Sequence, residues 1–179
     1  MGAMSVAPHL VFDRPLVRRR LARAARLGPE PFLLDRVAED MADRLAAVKR
    51  RFGTALDLGT PTAALARAIA GAGGVDLLLR AAPLADDAAA ADLVADEEAL
   101  PFAPAALDLV VSALSLQSVN DLPGVLAQVR RALRPDGLFL AALLGGGSLT
   151  ELRQSFTIAE SETTGGISPR VAPFADVRD

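Results

Sequence analysis

The rhythm of apolar positions changes once along the chain, after about residue 51. Between residues 12 and 27, Val17, Leu21 and Ala24 recur at helical spacing while arginines fill the other faces, as in an amphipathic helix. A second such segment, over 30–51, opens at Pro31 and carries Leu33, Leu34, Val37, Met41, Leu45 and Val48. Beyond it, short apolar runs alternate with helical stretches. The runs are Ala55–Leu58, Val75–Leu79, Asp92–Ala95, Leu107–Ser112 and Leu138–Leu144. Helices are predicted from Thr62 to Ala70, over Asp86–Ala90 after Pro83, and from Leu122 to Leu133. A last one extends to about residue 163 from Ser148-Leu149-Thr150-Glu151, which reads as a capping box. Pro135-Asp136-Gly137 reads as a turn between helix and strand five.

Strands buried on both faces show as continuous apolar runs rather than alternating ones. Their alternation with helices predicts an α/β fold, a mostly parallel sheet covered on both sides. The expected division is a helical N-terminal extension over 1–50, the α/β domain over 51–164, and an irregular tail over 165–179. Met1-Gly2-Ala3, ahead of Met4-Ser5, is set aside from this reading.

Composition narrows the chemistry. At 51% hydrophobic residues the chain supports one sizeable core, yet no apolar run reaches the length of a membrane span. No secretory leader is expected, since Arg14 and Arg18–Arg20 precede an amphipathic stretch. The absence of cysteine removes disulfides and thiolate metal sites and sets a cytoplasmic expectation. A net charge of −3, with Phe as the only aromatic type, argues against a nucleic-acid surface. His9 is the only histidine, so histidine bases and multi-histidine metal sites are not expected.

The first chemical signal is the strand-to-helix turn Asp57-Leu58-Gly59-Thr60-Pro61-Thr62-Ala63. A glycine there lets backbone approach a ligand closely, although any βα turn needs much the same residues. Downstream lie Asp96-Glu97-Glu98-Ala99-Leu100-Pro101-Phe102, Leu107–Ser112, and Leu133-Arg134-Pro135-Asp136-Gly137.

In this order and spacing the segments resemble class I methyltransferases. They are similar to the malonyl-carrier-protein type of biotin synthesis, and more closely to bacterial relatives of the mitochondrial complex I assembly factor. Phe12-Asp13-Arg14, Ser115-Leu116, Val119–Pro123, Thr150–Arg153 and Ser168–Phe174 extend the likeness over nearly the whole chain. The resemblance implies a Rossmann-like methyltransferase sheet and S-adenosylmethionine as cofactor. It implies that Asp57 orients the loop and meets the cofactor's amino group, that Gly59 lies against it, and that Asp96 meets the adenine amino group. Glu97 and Ser112 complete the implied cofactor contacts. No catalytic residue is assigned.

The sequence departs from the family pattern at several implied contacts. Pro61 and Ala63 replace glycines, and Pro has no N–H to offer. No carboxylate ends strand two to hold a ribose: Leu79-Arg80-Ala81-Ala82 offers an arginine, which in other Rossmann sites meets a phosphate. Gln117-Ser118 stands where relatives often carry His-Trp. Relatives also continue past the position of Asp179 through a helix and two strands, so the sheet is expected to stop after strand five. These departures predict weak or absent S-adenosylmethionine binding, and a non-catalytic binding or assembly protein. The alternative is an active methyltransferase on a small acid, a carrier-bound acyl group or a protein side chain. Arginine hydroxylation, described for some assembly-factor relatives, ranks third because no iron-ligand set stands out. An apolar strand-five edge has unpaired backbone groups, and a homo-oligomer or protein partner is expected there. Arg18–Arg20 reads as a solvated helix face, or as a docking surface for an acidic partner or lipid head groups.

Overall fold

The computed structural model describes residues 10–84, 91–163 and 165–176. The apolar runs form five strands: β1 (Phe52–Leu58), β2 (Val75–Ala82), β3 (Leu93–Val94), β4 (Leu107–Ala113) and β5 (Leu133–Ala142). Every pairing is parallel, in the order β3-β2-β1-β4-β5. The helices are α1 (Arg14–Leu27), α2 (Phe32–Ala46), α3 (Ala64–Ala72), α4 (Leu122–Ala132) and α5 (Thr150–Thr163), with a single 3-10 turn at Leu116–Ser118. The sheet is Rossmann-like, as expected. Two compact units divide at Leu143/Leu144: one holds α1–α4 and the whole sheet, the other α5 and the segment after it.

Side chains alternate across the central strands and build two cores. On one face α2 and α3 bring Leu34, Met41, Leu45, Leu65 and Ile69 against Ala55, Leu109 and Val111. On the other, α4 brings Val125 and Val129 against Leu56, Leu58 and Val110. Alpha2 is thus a core helix. In contrast, α1 buries no residue. It starts from Asp13, whose side chain accepts from Leu16 N at 2.9 Å, and it is held in place by polar groups described below.

Three expectations change. Pro135-Asp136-Gly137 is not a turn between elements, because β5 begins directly after α4 and runs through it. Between the pairs Leu107–Leu133 and Leu109–Leu138, the register slips, and Asp136 takes a φ of 62°. The extra residues bulge where Pro135 has no N–H for a ladder. Similarly, α5 opens at Thr150 rather than from a Ser148 cap, since Leu149 has a φ of 59° and Thr150 Oγ1 donates to Gly147 O at 2.8 Å. Alpha2 also stops at Ala46, short of residue 51. The helix expected over Asp86–Ala90 lies outside the described residues.

Candidate functional site

In an open parallel sheet, ligands bind beyond the carboxyl ends of the strands where the strand order reverses. Here that is the β1/β4 crevice, reached by the turn after β1. Gly59 sits there with a φ of 73°, donating to Ala81 O at 2.8 Å. A Cβ at Gly59 would collide with Ser115 Oγ and Glu97 Oε1, so glycine is needed on two counts: the left-handed backbone and the close approach.

Asp57, at the end of β1, is 1% exposed. The register places it beside Arg80 of β2, whose Nε donates to Asp57 Oδ2 at 3.2 Å. Arg80 Nη2 also donates to Thr60 O at 3.2 Å and Thr62 O at 2.8 Å. The guanidinium therefore binds the carboxylate and two carbonyls of the glycine turn together. Burial pushes the Asp57 carboxyl up to about 6, against the opposing pull of Thr60 and Arg80. The neighbouring Ala81 is buried in the core, and Arg80 is the β2 side chain that reaches the glycine turn. It turns inward, toward a carboxylate.

A second carboxylate cluster lies across the crevice, after β3. Asp96 accepts from Arg14 Nη2 at 2.7 Å, from Arg18, and from Glu98 N at 3.0 Å. Burial raises its pKa, but the Glu98 N–H and the two guanidinium groups outweigh this and hold the carboxyl below its ordinary value. Glu97, 3% exposed, is paired with Arg14 and accepts from Ser115 Oγ at 2.8 Å. Arg14 Nη1 donates to Ser118 O at 3.2 Å. Phe12 and Asn120 exchange hydrogen bonds, N to Oδ1 at 2.8 Å and Nδ2 to O at 3.1 Å. This clasp holds α1 over the crevice. Arg18, expected with Arg19 and Arg20 on a solvated or docking face, stays 41% exposed but turns its guanidinium to Asp96.

Ser112 is fully buried, its Oγ donating to Leu58 O at 2.7 Å, and it ties β4 to β1. Thr60 Oγ1 accepts from Ala113 N at 3.1 Å. The structure thus brings Asp57, Gly59, Asp96, Glu97 and Ser112 to one crevice, and gives each carboxylate among them an internal arginine. Under α1 a cavity of about 340 Å³ remains, with Gly59, Pro61, Leu21 and Gln117 among its lining residues. No group of three or more His, Asp or Glu side chains placed to hold a metal occurs among the described residues. No helix there is long and apolar enough to cross a membrane.

The sheet side of this crevice falls in a recognisable stretch: residues 56–141 match the methyltransferase domain family. Residues 56–141 thus form a methyltransferase-family domain. It is 41% identical, over 99% of its length and 54% of the relative's, to the human mitochondrial arginine-hydroxylase NDUFAF5. Against the malonyl-[acyl-carrier protein] O-methyltransferase of Laribacter hongkongensis it is 35% identical, covering 93% of this chain and 61% of the relative. The chain therefore spans only about half to three-fifths of the length of these relatives. Among solved structures, a Methanococcus maripaludis protein assigned to the S-adenosyl-L-methionine-dependent methyltransferases superposes with a TM-score of 0.56 at 16% identity, covering 91% of this chain and 77% of that one. The YcgJ protein of Bacillus subtilis gives a TM-score of 0.56 at 15% identity over 78% of this chain and 63% of its own. Both likenesses concern the fold.

Proposed function

We propose that this methyltransferase-family chain no longer transfers methyl groups and acts by binding, in the assembly of a larger complex. The observation that carries this reading is Arg80. The family resemblance gives Asp57 to a cationic amino group of the cofactor, and here Arg80 supplies the cation from within. Asp96, given to the adenine amino group, is paired with Arg14 and Arg18. A ligand would have to displace charged hydrogen bonds at both ends, at about 1.5–3 kcal/mol each. These residues fit S-adenosylmethionine poorly.

Titration calorimetry with S-adenosylmethionine and S-adenosylhomocysteine tests the reading. No heat at micromolar ligand is expected, and micromolar binding overturns it in favour of an active methyltransferase on a small acid, an acyl carrier or a protein side chain.

One further reading is favoured by the likeness to NDUFAF5 over 99% of the chain: hydroxylation of a protein arginine. Its test is mass spectrometry of an arginyl substrate protein for one added oxygen. For partners, we propose the free edge of β5, which pairs only with β4 among the described residues. A homo-oligomer or a docked chain there is checked by light scattering, and a strict monomer that captures no partner counts against it.

A further inference from the structure

The wall of the crevice beneath α1 carries donors that this chain leaves unmet. Arg14 Nε and Arg18 Nε are buried without a hydrogen-bond acceptor, the former lying 3.5 Å from Glu98 Oε2. Both side chains line the cavity of about 340 Å³. Arg20 lines it too, and has no ion pair among the described residues. The single acid in that lining, Glu97, is already engaged by Arg14 and Ser115. Asp96 and Glu98, just outside the lining, pair with Arg14 and Arg18, so the uncompensated charge on this wall is that of Arg20. Buried N–H groups without acceptors are uncommon in native proteins and cost free energy; an anionic oxygen in the cavity would first meet the exposed Arg20 guanidinium.

An adjoining cavity of about 90 Å³ shares Leu21, Ala24, Gly59, Pro61 and Pro83 with the first. Its remaining lining includes Ala25, Ala82 and Leu84, and no charged residue. A simple anion would leave this apolar lobe unused, and a cation would be repelled by Arg20. One molecule satisfies both parts if it joins an anionic head to a hydrocarbon tail.

We propose that the crevice binds a small anionic amphiphile, its carboxylate on Arg20 and its tail in the lobe under Leu21 and Ala24. The proposal rests on the reading that S-adenosylmethionine has given up this site, and it names what the site takes instead. Burial of the tail supplies affinity, and Arg20 supplies the choice of head.

The test is calorimetric titration of the full chain with three ligands: decanoate, decyltrimethylammonium and S-adenosylhomocysteine. Decanoate is expected to bind at one saturable site, with the cationic amphiphile roughly ten-fold weaker or more. Arg20→Glu is expected to weaken decanoate by about ten-fold while leaving thermal unfolding in place. Ala24→Trp, which fills the lobe, is expected to abolish binding, with its fold checked by circular dichroism. Equal affinity for both amphiphiles, or decanoate affinity unchanged in both variants, overturns the proposal. Absence of both decanoate and S-adenosylhomocysteine binding overturns this proposal alone. Micromolar S-adenosylhomocysteine binding beside decanoate binding overturns only the preceding reading.

Discussion

The two carboxylate poles of the crevice solve the same problem in opposite ways. Asp57 is 1% exposed on the central strand and meets Arg80 within the sheet. Asp96 lies nearer solvent, its side chain 17% exposed, and meets two arginines from α1. Burial dominates at the first pole and pushes the carboxyl up to about 6. At the second, the Glu98 N–H and the guanidinium groups outweigh burial and hold the carboxyl low. One pole is fixed into the fold, whereas the other closes with a helix that buries nothing of its own. The two carboxylates are thus engaged once from within the sheet and once from α1.

The largest effect expected is at the inner pole. Arg80→Met leaves the buried Asp57 carboxyl without its counter-ion and hydrogen-bond donor and is expected to cost about 3–5 kcal/mol in urea unfolding followed by circular dichroism. Adding Asp57→Asn removes that carboxyl, so the double variant is expected to recover most of that loss. Arg14→Met, at the outer pole, is expected to cost about 1–3 kcal/mol. Its loss falls on the clasp, so it should show as faster hydrogen exchange along 14–27 with little change in the global midpoint. A midpoint shift as large as that of Arg80→Met would erase the distinction between the poles.

Their pH dependences carry opposite signs. Asp57 has a folded value of about 6, above its unfolded value of about 4. Between the two the folded state binds the extra proton, so stability declines as pH rises across that window and is level above it. For Asp96 the folded value is depressed. Its contribution is present above the unfolded value and is lost as pH falls through the folded one, below about 4. Asp57→Asn is expected to flatten the decline between about pH 4 and 6, and Arg14→Met to reduce the loss on the acid side. A Asp57→Asn profile that keeps the decline assigns it to another group.

Much of the sheet could be read from the sequence because its strands are near-continuous apolar runs. The β5 bulge could not, since Pro135-Asp136-Gly137 gives the same local signal as a turn, and only pairing with β4 shows that the strand continues through it. Asp57, Gly59 and Asp96 were visible by position in the family pattern. Their partners were not. Arg80 reaches Asp57 across 23 residues and Arg14 reaches Asp96 across 82, and no local pattern encodes such pairing. The one available hint was the spacing of Arg14 and Arg18, four apart and so on one face of a helix. Read by itself, that hint is indistinguishable from a solvated arginine face.

The smallest effect expected supplies the control for all the others. Asp40 and Arg44 form an ion pair on α2, with Arg44 Nε donating to Asp40 Oδ2 at 2.7 Å, the same distance as Arg14 to Asp96. Their side chains are 58% and 65% exposed. The hydrogen bond from Arg44 holds the Asp40 carboxyl below its ordinary value, but water screens both charges whether or not they meet. Asp40→Ala is therefore expected to leave the unfolding midpoint and the exchange of α2 unchanged within error, and added salt to make no difference. Two contacts of equal length then differ in consequence through burial alone. If Asp40→Ala instead destabilises the chain as much as Arg14→Met, proximity of charge rather than desolvation governs both helices, and the clasp on α1 becomes an ordinary surface ion pair.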